Sequence, residues 1–111
     1  MVVTAWNNGT RRLSGAGYGV KVRPEDREHN FQRDWETIII CLENRRKEVE
    51  VNVKKQSFWN RACGELISKE IGTWLILNEL APWKKGKPPK LELVPDKGNR
   101  FFLNKFSCCS K

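Results

Sequence analysis

The run Thr37-Ile38-Ile39-Ile40 sets the strongest limit on what this chain can fold into. β-Branched side chains lose rotamer freedom in a helix and pack well on a pleated surface, so four in succession predict a strand. Over residues 35–42 the segment is apolar on both faces, which suits a central strand covered above and below. Cys41 is expected to pack there as a small hydrophobe. A chain of 111 residues can build one hydrophobic core but would starve a second, so this strand should anchor a single domain.

The rest of the chain supplies partners for it. Val49, Val51 and Val53 alternate with Glu48, Glu50 and Asn52 after the polar connection of residues 43–46, the clearest hairpin signal present. Residues 2–6 read as a strand closed by the turn Asn7-Asn8-Gly9, and Tyr18, Val20 and Val22 alternate with Gly19 and Lys21 in a second. Gly15, Gly17 and Gly19 leave room for another backbone to approach. Leu91 and Leu93, the turn Asp96-Lys97-Gly98-Asn99, then Phe101 and Leu103 predict a terminal hairpin.

Helical signals are fewer. Ser68 predicts the cap of a helix running to about Leu80 and stopped by Pro82, with Ile67, Ile71, Trp74 and Leu75 on one face. Ser57 reads as the cap of a turn carrying Phe58 and Trp59, and the charged residues 23–33, with Pro24, as a loop or a short exposed helical turn. Residues 83–90, rich in proline and lysine, belong on the surface. The expected order is four strands, a helix and two strands. The fold class is mainly β with one or two helices (α+β): a twisted sheet curling into a pseudobarrel, which removes exposed edges, with an open α+β sandwich as the competing architecture. Residues 1–104 form the domain and 105–111 a flexible tail.

Charge narrows the partners. Lys and Arg number 21 against 13 Asp and Glu, a formal net charge of +8. Nucleic acid, an acidic membrane surface and an acidic protein would all be attracted. No stretch reaches the roughly 18 apolar residues of a membrane span and the first twenty lack a signal-peptide core, which predicts a cytoplasmic or nuclear protein without a membrane partner. Cys41, Cys63, Cys108 and Cys109 match no metal-ligand spacing and read as reduced thiols. The sole histidine, His29, lies among charged residues with no nucleophile marked beside it. Glu36, Glu48 and Glu50 could gather a divalent metal, yet Glu48 and Glu50 read as solvent-facing strand charges. The Gly15-Gly17-Gly19 series lacks the lysine and helix start of a phosphate loop. These readings predict no enzyme, metal, cofactor or small-molecule substrate; a small magnesium-dependent nuclease ranks third among the functions weighed.

Basic residues gather beside the connections: Arg11 and Arg12; Arg45, Arg46 and Lys47; Lys54 and Lys55 with Arg61; Lys84, Lys85, Lys87 and Lys90. Residues 54–61 mix cations with Gln56 and Asn60, whose amides can pair with an adenine edge. The plain alternative is that Phe58 and Trp59 anchor a core turn and the lysines keep it soluble. The predicted site therefore has Arg11, Arg12, Lys54, Lys55 and Arg61 on phosphates, Gln56 or Asn60 on bases, and Trp59 orienting the segment. The second hypothesis is a protein-interaction module, an accessory or inhibitor covering an acidic surface, anchored by an exposed Trp6, Trp59 or Trp83.

Two stretches also resemble a known pattern: Gly19-Val20-Lys21-Val22-Arg23-Pro24 leading to Trp35, residues 38–42 and Val49-Glu50-Val51-Asn52-Val53; and Ile71-Gly72-Thr73-Trp74-Leu75 followed by Asn78-Glu79-Leu80, Gly86, Leu91, Leu93 and Arg100-Phe101-Phe102-Leu103. Over residues 19–103 their order resembles the B3-type DNA-binding pseudobarrel of plant transcription factors and of some restriction-enzyme recognition domains. The resemblance implies DNA rather than RNA, embraced by two loops at one end of the barrel, one of them residues 54–61. The chain departs from that pattern where the family's first long helix is replaced by the charged, Pro24-containing stretch, and again after the main helix.

Overall fold

The computed structural model describes residues 1–9, 14–43, 48–60, 63–84 and 86–105, without the side chains of Ser57 and Asn60. Seven strands follow the chain: β1 (Val2–Asn7), β2 (Tyr18–Val22), β3 (Thr37–Leu42), β4 (Glu48–Asn52), β5 (Gly64–Ile67), β6 (Lys90–Pro95) and β7 (Arg100–Lys105). Helix α1 (Pro24–Asn30) joins β2 to β3, the five-residue α2 (Gln56–Asn60) precedes β5, and α3 (Lys69–Leu77) leads toward β6. All seven strands form one sheet in the order β4-β3-β7-β6-β1-β2-β5, and its outer strands β4 and β5 approach each other, so the sheet curls into a nearly closed barrel.

Alternation decides which side chains fill it. Register aligns Val51 with Ile38, Val49 with Ile40, and Ile40 in turn with Phe101. Leu42 meets Leu103 and Leu103 meets Leu93; Ala5, Val20 and Leu66 make another row. All of these are buried, while their neighbours Glu48, Glu50 and Phe102 face out. The isoleucine run is less symmetrical than its composition implies: β3 buries Ile38, Ile40 and Leu42 but leaves Ile39 and Cys41 half-exposed, because its outer face carries no second layer.

Helices close the two ends of the barrel. α1 takes the helical of the two readings open for this stretch: Pro24 suits the opening turn, Glu25 and Asp26 complement its positive end, and Arg27 and His29 its negative end. Beside it, Phe31 stacks on Phe101 at 4.9 Å and meets Phe58 of α2 at 5.3 Å, with Trp35 edge-on to both Phe31 and Phe101 at 6.2 Å. α3 covers the other end. Ser68 Oγ accepts from Glu70 N as a cap, and Trp74 Nε1 reaches the Glu43 carbonyl at 2.9 Å. Ile71, Trp74 and Leu75 are buried, but Ile67 belongs to β5 and faces out. The helix stops at Leu77, short of Leu80: Glu79 takes a positive φ of 60° and Leu80 N returns to Leu75 O, so the chain turns before Pro82 can act.

Three other expectations change. β5 is a strand beyond the expected order of four strands, a helix and two strands; only Gly64 and Leu66 of its four residues are buried. α2 begins at Gln56, which puts Ser57 inside it instead of at its cap. β7 extends through Lys105, opposite Leu91, so the first residue assigned to the tail belongs to the sheet. Among the described residues, no helix is long and apolar enough to cross a membrane.

Glycines permit the closest contacts. α3 sits against the β1–β2 connection where Gly72 meets Gly15; a Cβ on Gly72 would overlap the Gly15 carbonyl oxygen and lie 2.7 Å from its Cα. Neither partner is a side chain that can swing away. Gly72→Ala should therefore lower stability by about 2 kcal/mol despite alanine's helix propensity, and Tm by about 10 °C in a thermal melt. A rise in Tm, as propensity alone would give, would contradict this packing.

Candidate nucleic-acid interface

The segment after β4 leaves the sheet under firm control. Val53 N and Lys54 N both donate to the Glu36 carbonyl, at 3.0 and 3.3 Å, and Lys54 N also donates to Asn52 Oδ1 at 2.9 Å. α2 then drives Phe58 into the core, fully buried, where its ring packs 2.7 Å from the Cβ position of Gly64. From α1, the buried Arg27 donates through Nη1 to the Phe58 carbonyl at 2.8 Å. That bond satisfies a backbone acceptor near the end of a short helix and ties the two helices together.

Trp59 is half-buried beside this junction, edge-on to Phe58 at 5.2 Å. The Arg33 guanidinium lies over its ring at 4.5 Å from the centroid, with Arg27 farther out at 5.8 Å. Trp59 Nε1 is buried and has no hydrogen-bond partner among the described residues, so the ring acts as a packing platform and offers no N–H to a ligand. Arg33, Lys54, Lys55, Gln56 and Trp59 together line an open depression of about 340 Å³. A second depression, bounded by Glu36, Thr37, Asn52 and Lys54, adjoins it through Lys54.

Four of the eight predicted site residues thus meet at one place: Lys54, Lys55, Gln56 and Trp59. Arg11, Arg12 and Arg61 lie outside the described residues, as does the side chain of Asn60. Arg33 is the member that sequence reasoning missed. Nothing local marks it, because its role comes from Trp59, 26 positions later, arriving beneath it. The two segments expected to act together do not share an end of the barrel. The β1–β2 connection opens where Asn7 pairs with Tyr18, whereas residues 54–63 enter β5 at Gly64, opposite Val22 at the other end of β2.

The remaining candidates are accounted for by local partners. His29 stands on α1, exposed, and donates through Nδ1 to the Glu25 carbonyl at 2.7 Å. Glu48 pairs with Arg100 across the strands, and Glu50 accepts from Thr37 Oγ1 at 3.4 Å. Trp6, Trp59 and Trp83 are all half-buried, Trp83 against Tyr18 at 5.7 Å. Comparison with protein-family models, with curated proteins and with solved structures finds no match to this chain.

Cys41 lies away from the depression, across from Glu48 on the outer face of β3. Burial pushes its thiol above the ordinary value; Arg100 opposes this, while Glu48 and Asp96 reinforce it. A raised value withholds the thiolate until higher pH. With Cys63, Cys108 and Cys109 replaced by serine, the pH midpoint of Cys41 alkylation should lie higher in the folded protein than in urea. Steric shielding alone would slow the reaction without moving that midpoint. For the junction itself, Arg27→Met keeps the aliphatic stem but leaves the Phe58 carbonyl unsatisfied, which should cost about 1–3 kcal/mol, read as a lower denaturation midpoint at unchanged slope.

Proposed function

We propose that this chain is a non-catalytic nucleic-acid-binding domain that engages duplex DNA, with residues 54–61 at the centre of its contact surface. One observation carries the reading: three cations, an amide and an aromatic platform converge on a single depression on helix-braced backbone. A concavity that joins cations with an amide suits nucleic acid, since cations pair with phosphates and an amide can match a base edge. The net charge of +8 attracts a polyanion from a distance. The resemblance to B3-type domains favours DNA over RNA. In this reading Lys54 and Lys55 hold phosphates, joined by Arg61, while Gln56 or Asn60 meets a base and Trp59 keeps the segment in place; Arg11 and Arg12, on the connection at the opposite end of the barrel, are left out of the contact.

A protein partner draws less support. The exposed large apolar side chains among the described residues, Ile67, Leu77 and Phe102, stand on β5, α3 and β7, with β6, β1 and β2 separating the two strands concerned.

Fluorescence anisotropy with duplex DNA, single-stranded DNA and RNA of matched length, over a salt series and with heparin as competitor, tests the reading. If about three phosphates are paired, by Lys54, Lys55 and Arg61, log affinity for duplex should fall against log salt with a slope on the order of −3. Reversing Lys54, Lys55 and Arg61 to glutamate should weaken binding far more than reversing Lys84, Lys85 and Lys87. Equal binding to every polyanion, or the opposite ranking of the two triple variants, would reject this site.

A further inference from the structure

Arg33 differs from the lysines around the depression in how its charge is held. Its guanidinium carbon lies over the Trp59 ring, 4.5 Å from the centroid, and its Nη2 lies 3.3 Å from Glu28 Oε2, so the group has a contact on the ring and another on a carboxylate. The side chain is nevertheless 65% exposed, so the group remains open to a ligand. Lys54 and Lys55 carry compact charges on flexible stems and can follow a phosphate wherever it settles. A guanidinium held over a ring and paired with a carboxylate is less free to follow, and its rigid fork suits a planar acceptor pair.

We propose that Arg33 is a base-reading residue that presents its guanidinium edge to the O6 and N7 acceptors of a guanine in the major groove. This rests on the duplex-DNA reading above and names what the site recognises. Phosphate binding draws its strength from charge and from released counterions, and Arg33 already shares its charge with Glu28. The acceptors of guanine are neutral, so the pairing with Glu28 takes little from a bond that depends on direction, and planar bidentate matching to guanine is the commonest specific contact arginine makes. Glu28 also sets a negative charge beside the site, which repels a phosphate that takes the guanine's place. Gln56 lines the same depression and has the amide that matches adenine, so the site reads a guanine close to an adenine.

The test is selection from a randomised duplex pool with the full chain and its Arg33→Lys, Arg33→Ala, Gln56→Ala and Glu28→Gln variants, followed by anisotropy titrations on the selected sequence. The wild type should enrich an invariant G·C pair, and replacing that pair with A·T should cost about tenfold or more. Arg33→Lys should keep the salt slope yet lose most of that discrimination; Gln56→Ala should relax a neighbouring A·T position instead. Glu28→Gln leaves the stacking in place, so it serves even if Arg33→Lys fails to fold: it should tighten binding to all sequences while narrowing the preference for guanine. If Arg33→Lys and Arg33→Ala weaken every duplex alike, and the alanine lowers the salt slope by about one, Arg33 is a phosphate contact and this inference fails while the duplex reading stands. No duplex binding by the wild type overturns both.

Discussion

The parallel pairing of β3 with β7 is the joint on which this fold depends. β3 and β4 form a local hairpin, and the strands from β7 to β5 form a ribbon of antiparallel neighbours; among the described residues the β3–β7 ladder is the strand pairing that unites them. It brings together residues about sixty positions apart, and polar bonds pin both of its ends. Asn99 Nδ2 donates to the Thr37 carbonyl at 2.7 Å, while Glu43 N donates to Leu103 O and Glu43 Oε1 accepts from Lys105 N. Arg100 reaches past β3 to Glu48 on β4. Closing so long a loop costs entropy that later contacts must offset, and the aromatic cluster of Phe31, Trp35, Phe58 and Phe101 forms at the end of the barrel where this ladder begins. The α2 platform exists because the ladder does.

The sequence shows its local order well and its long-range order poorly. Alternation in residues 18–22, 48–53 and 91–103 was legible because each strand buries one face, and Ser68 was legible because a cap is a short-range bond. The pseudobarrel followed from strand number and the need to hide edges. β5 stayed hidden because Gly64 leaves no side chain to complete its pattern, and the partners of β3 could not be read from a run that is apolar on both faces. α1 was half legible: Pro24 and the acidic first turn announce it, but the burial of Arg27 depends on a carbonyl 31 residues away.

The candidate site divides along the same line. Lys54, Lys55, Gln56 and Trp59 are near neighbours in the chain, and a short helix keeps them near neighbours in space. Arg33 reaches them only through the fold. Its position on the Trp59 ring depends on α1 and α2 being bound together by Arg27, so a buried cation that touches no ligand sets where an exposed one can act. In the proposed reading the two arginines have separate roles: one joins helices and the other faces the duplex.

The meeting of Gly15 and Gly72 bears on ancestry. Where two backbones touch, selection can vary neither partner without moving an entire element, while the alternating valines and isoleucines of the barrel are free to exchange among apolar residues of similar volume. Gly19, whose missing side chain admits the Leu66 carbonyl, is held in the same way. Common descent would thus be written in the spacing of a few empty positions and one buried arginine, a fingerprint that overall residue identity dilutes. Distant kin of this chain would be recognised by what their sequences leave out.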